Sequence, residues 1–224
     1  MTCLQVSVEP LLDGPANMAR DAELLQDAER GRAGARVYTW DGPWVSLGRF
    51  QRPEKALRDP TKIDWVMRPT GGKAVLHGHD VTVGMAVPLP ALGITESGSR
   101  RVSTVYRAVV RPLVEALAAA GLPATLAENT PFVRTGGQTA DCFAHVSPND
   151  IVDPATGHKV CGCALRVTPG AVLVQASVPV RRPLVRPDAV FDSPHSFVAE
   201  RELRLERLAS ELQSVRLGTV PAGV

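Results

Sequence analysis

A glycine-bearing segment caught between two strand-forming runs constrains this chain more than any other feature. Residues 63–67, Ile-Asp-Trp-Val-Met, and residues 81–87, Val-Thr-Val-Gly-Met-Ala-Val, are rich in β-branched and apolar side chains, and both read as strands. Between them runs Arg68-Pro69-Thr70-Gly71-Gly72-Lys73-Ala74-Val75-Leu76-His77. Strands on both sides hold that segment as a loop at their ends. The glycine pair lets backbone approach a ligand closely and offers unhindered N–H donors. Arg68 and Lys73 add positive charge, which suits an anionic or carbonyl-bearing group. No Lys-Ser/Thr follows a second glycine at phosphate-loop spacing, and Gly-x-Gly-x-x-Gly is absent. No Gly-x-Ser-x-Gly elbow supports a serine hydrolase either.

The rest of the chain mixes helices and strands. Residues 4–9 alternate like a short strand. Residues 17–29 read as a helix, with Met18, Ala22 and Leu25 on one face. Residues 38–40 and 44–48 flank Asp41-Gly42-Pro43, which predicts a hairpin. Residues 99–120 carry a helical stripe of Val102, Val105, Tyr106, Val109, Leu113 and Leu117, stopped by Gly121; Pro112 predicts a kink or a split. Residues 150–152, 159–167 and 171–178 form a meander through turns at 153–157 and 168–170, drawing Cys142, Lys159, Cys161 and Cys163 together. A last helix is predicted over 196–212, with Leu205, Leu208 and Leu212 on one side. Residues 179–194, rich in Pro and Arg, read as a linker. Strict βαβ alternation is missing, so the expected class is α+β, with mixed β-sheets packed with helices. Residues 1–180 are expected to form the catalytic domain, and 181–224 a connection plus a helix packed on it.

Composition narrows the function. A net charge of +2 and an aromatic fraction of 4% argue against a nucleic-acid partner. No apolar run reaches the roughly 18 residues of a membrane span. The first residues lack the basic and apolar regions of a secretory signal. Four cysteines in 224 residues do not look like a secreted disulfide framework. The expectation is a reduced, cytoplasmic protein.

Several residues could carry chemistry. Cys142 is either a small apolar core residue, the commoner fate of a cysteine, or a loop-edge nucleophile whose thiolate a cation stabilises. A Gly136-Gly137 pair lies just before it. Lys159 is either a solvated residue after a turn or the cation beside such a thiol. Cys161 and Cys163 point to one face of a strand; without a second pair they favour packing over zinc. His77 closes the glycine loop as a hydrogen-bonding residue, while His79, His145, His158 and His195 read as surface histidines. No metal site is predicted.

Together these pieces resemble the lipoate–protein ligase and octanoyltransferase family, from about residue 17 to about residue 180. Residues 17–25 are similar to its first helix. Tyr38-Thr39-Trp40 and Val45-Ser46-Leu47-Gly48-Arg49-Phe50-Gln51 are similar to its first hairpin. The segment from Arg68 to His77 is similar to its acyl- and nucleotide-binding loop, and Gly157-His158-Lys159-Val160-Cys161-Gly162-Cys163-Ala164 to the segment of its essential lysine. The resemblance implies a biotin/lipoate protein ligase-like catalytic domain. It implies either of two chemistries. Ligases use ATP and Mg2+ to make an acyl-adenylate. Octanoyltransferases need no cofactor and take octanoate from acyl carrier protein through a cysteine thioester. Cys142-Phe143 and a basic residue, Lys73, after the glycine pair are similar to the transferase branch. A chain of this length also leaves no room for the accessory domain of many ligases.

The resemblance therefore implies Cys142 and Lys159 as catalytic residues. It implies Arg68, Gly71, Gly72, Lys73, Ala74, Val75, Leu76, His77 and Gly162 as substrate-binding residues. Gly71 and Gly72 would stabilise an oxyanion, Arg68 and Lys73 would meet the carrier, and Lys159 would relay a proton. The implied donor is octanoyl-acyl carrier protein. The acceptor is a lipoyl-carrier domain, such as a glycine-cleavage H-type protein or a 2-oxoacid dehydrogenase E2. Met67, Cys163, Leu165 and Ala176 depart from the family's usual residues, at the loop entrance and the pocket walls. A non-catalytic acyl- or carrier-binding homologue is the third reading.

Overall fold

The computed structural model describes residues 2–9, 11–94, 101–133, 139–194 and 200–218. In chain order the first half holds β1 (Thr2–Cys3), β2 (Gln5–Val8), α1 (Gly14–Glu29), β3 (Gly34–Tyr38), β4 (Trp44–Leu47), α2 (Pro53–Ala56), β5 (Asp64–Met67), β6 (Val75–Leu76) and β7 (Asp80–Pro88). The second half holds α3 (Val102–Ala119), β8 (Thr125–Leu126), β9 (Ile151–Val152), β10 (Lys159–Val167), β11 (Ala171–Pro179), α4 (Pro187–Val190), α5 (Leu205–Ser214) and β12 (Arg216–Leu217).

A seven-stranded sheet, ordered β2-β3-β7-β11-β10-β9-β8, forms the centre. Only β2 and β3 run parallel within it. Side chains alternate across its two faces because the strand period is two. Val81, Val83, Met85 and Val87 of β7 join Val172, Val174, Ala176 and Val178 of β11 in the main core, under Val109, Leu113 and Leu117 of α3 and Leu208 and Leu212 of α5. The opposite face shows Thr82, Gly84 and Ala86 of β7 beside Leu173, Gln175 and Ser177 of β11. There α1 lays Leu25 and Ala28 on Ala86 and Leu173. Asp13 caps α1, its side chain accepting from the Ala16 N–H. Gly84 lets the helix approach: a Cβ there would sit 2.3 Å from Asp21 Oδ1.

A smaller sheet, β5-β4-β6, stands beside α1. Its core is Val45, Leu47, Ala74 and Leu76, closed by Val190 and Phe191. Between this sheet and the second face of the large one lies the site.

The expected α+β class of mixed sheets and helices is the one observed, and the meander of β9, β10 and β11 forms as predicted. Other expectations change. Residues 38–48 are not a hairpin: β3 ends at Tyr38 in the large sheet and β4 begins at Trp44 in the small one. Gly42, at φ +88°, turns the chain from one sheet to the other. The glycine loop contains a strand of its own, β6, paired with β4. Helix α3 runs unbroken through Pro112, which is buried; packing of the apolar stripe outweighs one missing N–H. Residues 99 and 100 and residues 196–199 of the two predicted helices lie outside the described residues. The supposed linker is anchored, with α4 at its centre, Val190 and Phe191 buried, and the Arg58 N–H bonded to the Val190 carbonyl.

Candidate active site

The glycine loop is a rigid wall because Arg68 ties it from inside. Arg68 is buried, and its five N–H donors all have protein acceptors: Nε to Thr70 Oγ1, Nη1 to the carbonyl and Oγ of Ser46, and Nη2 to the carbonyls of Gly71 and Lys73 at 2.7 Å each. Burial brings its pKa down to about 10, with Cys142 the charge opposing that fall. Arg68 therefore shapes the loop rather than meeting a carrier at the surface. Gly71 likewise spends its N–H on the Leu165 carbonyl, which leaves Gly72 as the loop glycine on the cavity wall. Gly48 packs beneath it, where a Cβ would lie 2.0 Å from the Gly72 carbonyl oxygen.

The loop's far end is stitched to the cysteine segment. The Ala74 N–H donates to the Ala140 carbonyl, and the Cys142 N–H donates to the Ala74 carbonyl. Asp141 accepts from the Phe143 N–H and opens a short 3-10 turn, Cys142–Ala144. Ala74, Val75 and Leu76 are buried, and Val75 reaches the cavity. Gly136 and Gly137 lie outside the described residues, as does His195.

Lys159 begins β10, where a register shift between Lys159 and Cys161 distorts the pairing with β9. Its ammonium is buried and has three acceptors: the Cys142 carbonyl at 2.7 Å, Cys142 Sγ at 3.3 Å and Asp150 Oδ1 at 2.8 Å. Burial alone would push the lysine down; the charges of Cys142 and Asp150 outweigh it and hold the lysine above its ordinary value. Asp150 is fixed in turn by the N–H and hydroxyl of Ser147. Gly162 gives the sulfur room, since a Cβ there would come within 3.1 Å of Cys142 Sγ. Lys159 is thus no solvated turn residue, and sequence reasoning missed Asp150 and Ser147. Their only signal was a short Ser-x-x-Asp turn before β9.

A cavity of about 190 Å³ joins these groups. Lys73, His145, Cys142 and Lys159 line it, together with Met18, Tyr38, Trp40 and Val75. Part of its lining is a buried polar net. His77 Nε2 meets Ser46 Oγ at 2.8 Å and its Nδ1 meets Asp80 Oδ2 at 2.8 Å, while the ring stacks on Trp40 at 3.9 Å between centroids. Both ring nitrogens of His77 are thus taken up by protein partners. His79 is buried, not a surface residue. His145 is half-buried on the cavity and in contact with Lys73 Nζ through Nε2. His158 is exposed. Cys161 and Cys163 share a face with sulfurs 3.7 Å apart, and no group of three or more metal-capable residues occurs among the described residues.

A cysteine sulfur 3.3 Å from a buried ammonium, on the wall of a mostly apolar cavity, is an arrangement suited to a nucleophilic thiolate. Residues 13–204 match the lipoyl protein ligase A/B catalytic domain, and the chain belongs to that family. Octanoyltransferase LipM of Bacillus cereus is 30% identical over 199 residues, covering 83% of this chain and 68% of that relative. The fold is shared with lipoate-protein ligase A bound with ATP, at a TM-score of 0.68 and 20% identity, covering 99% of this chain and 90% of that one. It is also shared with the bi-partite lipoate protein ligase of Thermoplasma acidophilum, described with its E2 lipoyl domain. That match has a TM-score of 0.64 and 19% identity, covering 99% of this chain and 89% of that one.

Proposed function

We propose that this protein is an octanoyltransferase of protein lipoylation. It moves an octanoyl group from acyl carrier protein to a lysine of a lipoyl-carrier domain through a thioester on Cys142. The observation that carries this reading is the 3.3 Å contact between Lys159 Nζ and Cys142 Sγ. The LipM relative supports the same chemistry by its name.

In the first half-reaction the Cys142 thiolate attacks the donor's thioester carbon. The new C–S bond forms as the old one breaks, and the donor thiolate leaves with a proton from solvent. Lys159 keeps its charge beside the reacting sulfur throughout. The acyl chain enters the cavity between the small sheet, the glycine loop and α1, and each buried CH₂ contributes about 0.8 kcal/mol. In the second half-reaction the acceptor lysine attacks the thioester carbon as its neutral amine; the C–N bond forms, the C–S bond breaks with its electron pair returning to Cys142 as a thiolate, and the extra proton on nitrogen passes to solvent. Dividing the transfer in this way is the purpose of a nucleophilic residue. The route uses no ATP. The acceptor is a lipoyl domain of the E2 or glycine-cleavage H-type, and the reaction belongs in the cytoplasm. No helix among the described residues is long and apolar enough to cross a membrane.

The test is intact-mass analysis after mixing with octanoyl-acyl carrier protein. The expected result is one octanoyl addition on Cys142 that disappears when an apo lipoyl domain is added. Undiminished transfer by a Cys142→Ser protein would overturn the thioester route. Modification of the lipoyl domain from free octanoate, only with ATP and Mg2+, would assign the ligase chemistry instead.

A further inference from the structure

Lysine carries its nitrogen on a flexible four-carbon stem, with donors that rotate about the last bond. Two of the three acceptors of Lys159, the carbonyl and Sγ of Cys142, belong to one residue. The Phe143 ring, 5.2 Å from the nitrogen, lies on the same segment. The third acceptor, Asp150 Oδ1 at 2.8 Å, comes from a different part of the chain. Held from the Cys142 side alone, the nitrogen could swing about the sulfur. Asp150 supplies the second fixed point.

Asp150 is itself braced from several directions. Its Oδ2 accepts from the Ser147 N–H at 2.7 Å and from the Ser147 hydroxyl at 2.9 Å. Its own N–H donates to the Ser147 carbonyl, and its carbonyl accepts from the Ala127 N–H. Buried Tyr106 of α3 donates its hydroxyl to the carbonyl of the preceding Asn149. Asp150 then leads into β9, where Val152 pairs with Lys159 itself. One carboxylate oxygen thus faces the brace and the other faces the lysine.

We infer that Asp150 is a positioning residue of the acyl transfer, holding the Lys159 nitrogen against Cys142 through both half-reactions. Before acylation the thiolate also attracts the lysine. Once acylated, the sulfur carries no charge. Asp150 then keeps the nitrogen beside it until the C–S bond breaks and the thiolate returns. Reacting groups need placement to within about 0.5 Å, and their supporting residues provide it.

The titratable and charged groups facing Cys142 are Lys159 and Cys161 from β10, and Arg68 and Lys73 from the glycine loop. Lys159 faces Asp150, Lys73, Cys161 and His145 as well. Charge and position make opposite predictions here. Removing a negative charge favours a nearby thiolate. Releasing the lysine nitrogen from the sulfur disfavours it.

The inference rests on the thioester reading, and the experiment separates the two. Iodoacetamide alkylation of Cys142 is followed by peptide mass from about pH 5 to about pH 9, the span in which thiols titrate. Acylation by octanoyl-acyl carrier protein, and discharge to an apo lipoyl domain, are followed by intact mass. Asp150→Asn should move the alkylation midpoint to higher pH. It should slow maximal acylation about 10²-fold, the usual effect of a small misplacement, with the half-saturating donor concentration little changed. Discharge should slow as well. Asp150→Glu keeps the charge but displaces it by one methylene, and should share the loss. Ser147→Ala keeps the carboxylate and one bond of its brace, and should shift the midpoint and the rates less, in the same direction. It tests the brace even if the Asp150 variants do not fold. A midpoint that stays or moves to lower pH in the variants, or wild-type rates in Asp150→Glu, would overturn the inference. Alkylation needs no acyl donor, so absence of an acyl-enzyme in the wild type would overturn the thioester reading instead.

Discussion

Lys159 meets its three acceptors as a tripod, and that geometry is specific to an ammonium. A guanidinium is planar and points its donors in a fork, so it cannot reach Cys142 Sγ, the Cys142 carbonyl and Asp150 Oδ1 together. Lys159→Arg should fold, since it keeps the charge, yet form the acyl-enzyme at least about 10²-fold more slowly. Stopped acylation followed by mass spectrometry measures this, and a normal rate would refute the tripod. Lys159→Met should do more damage, because it leaves the Asp150 carboxylate buried without its partner. Breaking such a pair costs about 3–5 kcal/mol, a melting-temperature fall on the order of 10 °C for a domain of this size. The sequence offered both Cys142 and Lys159, but each with a bland alternative. A lysine after a turn is usually solvated. Only the register shift in β10, and an Asp150 marked by nothing more than a short Ser-x-x-Asp turn, turn this one inward.

At the scale of elements, local pattern was a good guide to strands and a poor guide to partners. The period of two in β7 and β11 and the stripe of α3 are written in consecutive residues. The pairing of β3 with β7, and of β4 with β5 rather than β3, is decided by distant segments. That is why residues 38–48 looked like a hairpin and are a crossing between sheets. The glycine loop was legible as a wall, yet its tightest constraint sits in another element. Gly48 faces the Gly72 carbonyl so closely that an added Cβ would fall at 2.0 Å from backbone oxygen. Backbone cannot swing away as a side-chain tip can. Gly48→Ala should destabilise the fold by about 1–3 kcal/mol and slow acylation by displacing the loop. Gly71→Ala is the contrast: its nearest atom is the tip of Phe50 at 4.0 Å. It should cost under about 0.5 kcal/mol. Thermal melts of the two variants compare them directly, and equal losses would show that the close approach does not matter.

Across the whole molecule, the layers around the cavity are joined by buried polar chains as well as by apolar packing. Arg68 donates to Thr70, Thr70 Oγ1 donates to Gln175 Oε1, and Gln175 Nε2 donates to Asp21. Asp21 also holds Arg36 and Tyr38. One chain thus runs from the glycine loop through β11 to α1 and β3. Its links span 105 and 154 residues, so no window on the sequence could display them. A parallel net centres on Asp80, which accepts from Ser177 Oγ at 2.6 Å, His77 Nδ1 at 2.8 Å and Thr82 Oγ1 at 2.9 Å. Burial pushes the Asp80 carboxyl up, but His77 and the hydrogen bonds outweigh it and bring it from 3.8 to about 2. A carboxyl depressed in the folded state stabilises the fold at pH values above its unfolded pKa. That contribution is worth about 2 kcal/mol here. It fades as pH falls from near 4 through about 2, where the folded carboxyl takes its proton. Asp80→Asn removes the charge and presents an amide to neighbours that are themselves donors. The expected gap in stability from the wild type is at least about 2 kcal/mol at pH 7, and it should narrow steadily below pH 4. Urea melts at a series of pH values read it out. A gap of constant size from pH 7 down to pH 2.5 would mean that Asp80 acts through shape alone, and that its charge does not bind the floor of the cavity together.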